Sequence, residues 1–121
     1  TIAQKLKTQC INAVSTSSYH IRFVELIFNF FITEAFSKFS ALQELELPLN
    51  NISNNIRVQP AMFPNLINLD LSYNRLTGDD ILALGLLESL RTLHLTGMKC
   101  DCVNIIIKSY VKIDCMCLTV W

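Results

Sequence analysis

The most reactive side chains in this sequence are five cysteines, Cys10, Cys100, Cys102, Cys115 and Cys117, four of which form two Cys-x-Cys pairs. Paired cysteines can ligate zinc, but structural zinc sites space their ligands as C-x2–4-C. A single intervening residue in an extended chain throws the two thiols to opposite sides. No metal is therefore expected, and the odd number of cysteines favours reduced thiols in a reducing compartment. His20 and His94 are the only imidazoles. His94 falls near Asp70 in the strand pattern described below, yet no Ser or Cys nucleophile in a template context accompanies it. Neither G-x-x-x-x-G-K-[ST] nor G-x-G-x-x-G occurs, so loops that cradle a nucleotide are absent. The expectation is a protein that is not an enzyme and needs no cofactor.

Charge and hydropathy narrow the partners. Ten basic residues balance ten acidic ones, which removes the electrostatic footprint of a nucleic-acid or anionic-lipid binder. The longest apolar run, Phe23 to Phe36, is broken by Glu25, Asn29 and Glu34, so the roughly 20 apolar residues of a spanning helix are not available. Neither nucleic acid nor membrane is an expected partner. With 121 residues, 51% of them hydrophobic and 17% charged, the chain is long enough for one domain with a buried core. It starts at Thr1 and lacks the order of a secretion signal, which reads as a piece of a longer protein.

The chemistry that remains belongs to carboxylates, and it depends on the elements that carry them. Leu42, Leu45, Leu47, Asn50 and Ile52 fit the pattern L-x-x-L-x-L-x-x-N-x-L. Leu66, Leu69, Leu71, Asn74 and Leu76 repeat it 24 residues later, and Leu90, Leu93 and Leu95 begin a third copy after another 24. Phe39, Phe63 and Leu87 keep the same phase ahead of each copy, and Val58 and Leu82 share a further offset. A step of roughly 20 to 29 residues is that of the leucine-rich repeat. The fold expected is α/β: a leucine-rich-repeat solenoid with short parallel strands on a concave face and helices or turns on a convex face.

Side-chain alternation explains the spacing. The leucines of L-x-L point into one core while their neighbours face solvent. The asparagine stands where the chain leaves the strand, and its amide can satisfy backbone groups that no strand pairs. Asn50 and Asn74 are thus structural. Asp79-Asp80-Ile81-Leu82-Ala83-Leu84 has the acidic start and apolar stripe of a return helix.

Aligned strands would stack the outward residues into columns: Glu44, Asn68, Thr92; then Glu46, Asp70, His94; then Pro48, Ser72, Thr96. Tyr73 lies just past its strand, beside Leu49 of the preceding repeat. Any half-exposed strand carries polar outer residues for solubility, but a cluster of Glu44, Glu46 and Asp70 favours a basic partner. The site expected is a protein-binding concave face of Glu44, Glu46, Asn68, Asp70, Ser72, Tyr73, Thr92 and His94, with Tyr73 as an aromatic anchor.

The boundaries expected are an N-terminal flank (1–17), a degenerate first repeat or cap around Ile21 and Phe23 (18–41), the repeats (42–100) and an atypical tail (101–121). Met98 and Cys100 replace the third asparagine and its final leucine. The β-prone tail residues Ile105-Ile106-Ile107 and Val111-Lys112-Ile113 either cap the sheet edge or belong to an aberrant end. Cys100-Asp101-Cys102 resembles the disulfide caps of extracellular leucine-rich arrays, and Asn51-Ile52-Ser53 is a glycosylation sequon. The run follows the last strand too closely for such a cap and lacks its Pro and Trp.

Beyond the general repeat, Ile11-Asn12-Ala13-Val14-Ser15, Glu34-Ala35-Phe36, Ala41-Leu42-Gln43-Glu44-Leu45, Leu69-Asp70-Leu71-Ser72-Tyr73-Asn74 and Leu93-His94-Leu95-Thr96-Gly97 carry a narrower likeness. Over about residues 10 to 98 the chain resembles the X-ray radiation resistance-associated proteins. The resemblance implies a much longer protein of cytoplasm and nucleus, with a role in the response to X-ray damage and no catalytic residues to carry over. From Met98 the sequence departs from that pattern. The function expected is a non-catalytic protein-interaction module; the alternatives are an array segment with no binding role of its own and a secreted repeat binder.

Overall fold

The computed structural model describes residues 14–23, 39–52, 58, 62–98 and 107–115. Cys10, Cys100, Cys102, Cys117, Ser53 of the sequon and most of the Phe23 to Phe36 apolar run lie outside them. So does the third repeat beyond Met98.

Five three-residue strands form one open parallel sheet in chain order: β1 (His20–Arg22), β2 (Glu44–Glu46), β3 (Asn68–Asp70), β4 (Thr92–His94) and β5 (Lys112–Asp114). Each reads polar-apolar-polar, the pattern of a strand with one buried face. The central residues Ile21, Leu45, Leu69 and Leu93 are buried, with Ile113 partly so. Register follows the sequence period, since Ile21 pairs with Leu45, Leu45 with Leu69 and Leu69 with Leu93. A slip of one residue would turn every one of these side chains to solvent. Among the described residues the architecture is thus α/β, an open parallel sheet with one short α-helix.

Backbone bonds continue the ladder beyond both ends of the strands. Ahead of them, the N–H groups of Gln43, Ile67, Arg91 and Lys112 each donate to the residue one strand back, at Tyr19, Gln43, Ile67 and Arg91, all at 2.8 Å. Past them, Leu47, Leu71 and Leu95 donate forward to Asp70, His94 and Asp114 at 2.8 to 3.0 Å. Behind the sheet, Phe39, Leu42, Leu47, Ile52, Phe63, Leu66, Leu71, Leu76, Leu87, Leu90 and Leu95 fill the core.

Where the chain turns off the sheet, two asparagines form a buried ladder. Asn74 Oδ1 accepts from the N–H groups of Asn50 and Ile52 at 3.0 and 2.9 Å. Its amide nitrogen donates to the carbonyls of Leu47, Leu71 and Ser72. Asn50 donates in the same manner to Phe23 and Pro48. Met98 takes the third position and is buried as an apolar side chain.

The return helix is short. α1 (Gly78–Ala83) runs into a 3-10 turn at Leu84–Leu86. Thr77 caps it, accepting from Asp80 N–H while the Asp80 carboxylate accepts from Thr77 N–H, a reciprocal box that satisfies two orphan donors. Ile81 and Leu84 face the core, three residues apart on one face. Leu82, which shares Val58's place in the sequence period, is instead 53% exposed. Helical geometry, not the period, decides its direction.

β5 breaks the period. Thr92 pairs with Lys112 and Leu93 with Ile113, a step four residues shorter than the others. The tail is held there by Ile107, packed against Gly85, and by Tyr110, whose ring lies 4.4 Å from the Arg91 guanidinium carbon. The described part of this segment pairs along the β4 edge. Cys115 follows β5, partly buried against the core, and is disulfide-bonded. That corrects the expectation of five reduced thiols.

Candidate functional site

The polar face of the sheet carries two columns of side chains, one on each side of the buried central row. The first is His20, Glu44, Asn68, Thr92 and Lys112; the second is Arg22, Glu46, Asp70, His94 and Asp114. Alternation across the strands puts all ten on one surface. Of the residues expected there, Glu44, Glu46, Asn68, Asp70, Thr92 and His94 are brought together.

Ser72 is not on that surface. The strand ends at Asp70, and beyond it the chain turns inward, so Ser72 is 6% exposed and Pro48 is buried as well. The Ser72 hydroxyl accepts from Thr96 N–H at 3.1 Å and its own N–H donates to Asp70 Oδ1 at 2.9 Å. Ser72 therefore holds the turn. Tyr73, expected as an anchor, stands at the rim with 49% exposure.

Four residues of the face escape a reading confined to the three full repeats. His20 and Arg22 lie one period before Glu44 and Glu46, so the alignment through Ile21 already contained them. Lys112 and Asp114 sit off the period, and only the polar-apolar-polar pattern around Ile113 hints at their place. These four change the electrostatics. Glu46 is paired with Arg22 at 3.1 Å and with His20. His20 also stands 3.7 Å from Glu44, and His94 stands 3.4 Å from Asp114.

The acidic character is consequently local. Glu46 is compensated by Arg22, whereas among the described residues Glu44 faces only the imidazole of His20. Asp70, at the centre of the sheet, uses Oδ1 for a backbone N–H and has Glu46 and His94 as register neighbours. Beside it, Asn68 Oδ1 is buried and has no hydrogen-bond partner among the described residues. An orphaned acceptor of this kind costs about 1–3 kcal/mol. Glu44 and Asp70 leave carboxylates on the open face of two adjacent strands, which suits a donor-rich group such as an ammonium or guanidinium.

Among the described residues no group of three His, Cys, Asp or Glu side chains is placed to hold a metal ion. No helix among them is long and apolar enough to cross a membrane.

No family model and no solved structure matches the chain. Over 64 residues, 53% of its length, the chain is 45% identical to X-ray radiation resistance-associated protein 1 of Mus musculus. It spans only 8% of that protein. The likeness read from the repeat phrases is thus shown: this chain resembles X-ray radiation resistance-associated protein 1 over about half its own length, as a fragment-sized match to a much larger relative.

Proposed function

We propose that the chain is a segment of a leucine-rich-repeat solenoid whose concave sheet face docks a basic segment of another protein, without catalysis. The observation that carries this reading is the pair of carboxylates, Glu44 and Asp70, displayed on adjacent strands of a parallel sheet. Inter-strand bonds fix its spacing, so little ordering is needed when a partner binds. The 24-residue period and the buried asparagine ladder support the solenoid. The name of the mouse relative supports a link to the cellular response to X-ray radiation; a location in cytoplasm and nucleus is part of this proposal.

A charge-removing double variant tests the docking. Glu44→Gln with Asp70→Asn removes two charges while Asn keeps an oxygen for the Ser72 N–H. Affinity purification from cell extract should lose basic partners with this variant. An unchanged partner set would remove the face from the explanation.

One observation favours a second reading, a secreted binder. Cys115 is disulfide-bonded, and stable disulfides belong mainly to oxidising compartments. Mass measurement after alkylation of the natively purified protein separates the two. Retention of the Cys115 disulfide in the protein purified from cells supports the secreted reading, and its loss there supports the intracellular one.

A further inference from the structure

Leu49, Tyr73 and Gly97 occupy the same place in three successive turns, and all three hold the left-handed backbone, with φ of 58°, 56° and 78°. Glycine adopts this conformation freely, whereas a side chain there is strained. The turn itself asks only for a backbone N–H: Leu49 donates to Ser72 O at 3.1 Å and Tyr73 to Thr96 O at 2.8 Å. Glycine would make the same bonds. Two large apolar side chains therefore stand where the turn is better served by none, and both are exposed, by 45% and 49%.

Their position relative to the charged face is specific. Leu49 follows Glu46, and Tyr73 follows Asp70, by three residues, so each lies at most about 10 Å along the chain from a carboxylate. The two stand in the turns that follow adjacent strands, whose spacing in the sheet direction is roughly 5 Å. The Tyr73 ring rests on Gly97, where any Cβ would collide with it. That support holds the ring in place, and a rigid exposed aromatic loses little freedom on binding.

We propose that Leu49 and Tyr73 are the apolar anchor site of the docking face. On this view the partner segment is basic and extended, with one aliphatic or aromatic side chain two or three residues from a lysine or arginine. This deepens the docking reading and rests on it. The cation is drawn by Glu44 and Asp70, and the apolar residue seats on the rim, which supplies the discrimination that charge alone does not.

Fluorescence anisotropy with the full chain tests the anchor. The probes are two fluorescein-labelled eight-residue peptides of alternating lysine and serine, identical except that one serine is leucine in the second. The parent should bind the leucine peptide roughly tenfold more tightly. In Tyr73→Gly and Leu49→Gly that preference should disappear while binding to the serine peptide persists. Thermal midpoints should stay near the parent's, because glycine relieves the left-handed turn. Equal affinity of the parent for both peptides overturns the anchor and leaves the docking reading standing. So does an undiminished preference in both folded glycine variants. Binding of neither peptide overturns the docking reading and the anchor with it. If a glycine variant does not fold, the comparison of the two peptides on the parent still decides.

Discussion

Replacing Asn74 by alanine should cost the chain a large part of its stability, for reasons that lie in two backbone groups. Asn50 and Ile52 are buried to 0% exposure, and their N–H groups reach Asn74 Oδ1 at 3.0 and 2.9 Å. Alanine leaves both donors without that acceptor, at about 1–3 kcal/mol each. The carbonyls of Leu47, Leu71 and Ser72 lose a donor as well, but a carbonyl has two lone pairs and tolerates the loss better. Some relaxation and entry of water offset the sum, which gives a destabilisation of about 3–5 kcal/mol. Small proteins are stable by about 5–15 kcal/mol in all. Urea unfolding followed by circular dichroism should show a midpoint lowered by roughly 2 M at a slope near 2 kcal/mol/M, with the slope unchanged. Hydrogen exchange should show faster exchange at the Asn50 and Ile52 amides. A loss below about 1 kcal/mol, or full protection at both amides, would refute the reasoning.

Other perturbations follow from single features. Gly97→Ala forces a side chain into a left-handed position (φ 78°) and into the Tyr73 ring; a loss of more than about 1 kcal/mol is expected by chemical unfolding, and Tyr73→Gly in the same background should restore part of it. Leu45→Ala empties the middle of the core row, where Leu45 is 1% exposed, and should cost about 2–5 kcal/mol in the same assay. Thr77→Ala breaks the reciprocal cap of α1; about 1 kcal/mol is expected from a thermal scan, with the change in amide exchange confined to residues 78–84. Reducing the disulfide at Cys115 should lower the thermal midpoint by the equivalent of about 2–4 kcal/mol, and exchange should rise first in β5.

The core row, the strand register and the asparagine positions were all legible in the sequence, because each depends on a pattern of residue types. Alternation at Leu45 and Leu47 sets which face is buried, and the 24-residue step then sets which residue pairs with which. Glu44, Glu46, Asn68, Asp70, Thr92 and His94 fell on one surface for the same reason. The acidic start before Ile81 announced the return helix, whereas its Thr77 cap came to light in the structure.

Only the tertiary structure decided the rest. Leu49 and Tyr73 are not residues that announce a left-handed turn; they take it because their N–H groups must meet carbonyls of the next strand's exit. Ser72 is buried because the strand stops at Asp70, and strand length is set by how far neighbouring backbones stay paired. β5 lies outside the period, so its place depends on packing by Ile107 and Tyr110 and not on any repeat. Part of the charge of the face was likewise hidden: Asp114 lies beside His94 only because β5, off the period, flanks β4. Residue types determine what must be buried; contacts between distant segments determine which exposed groups remain free to act.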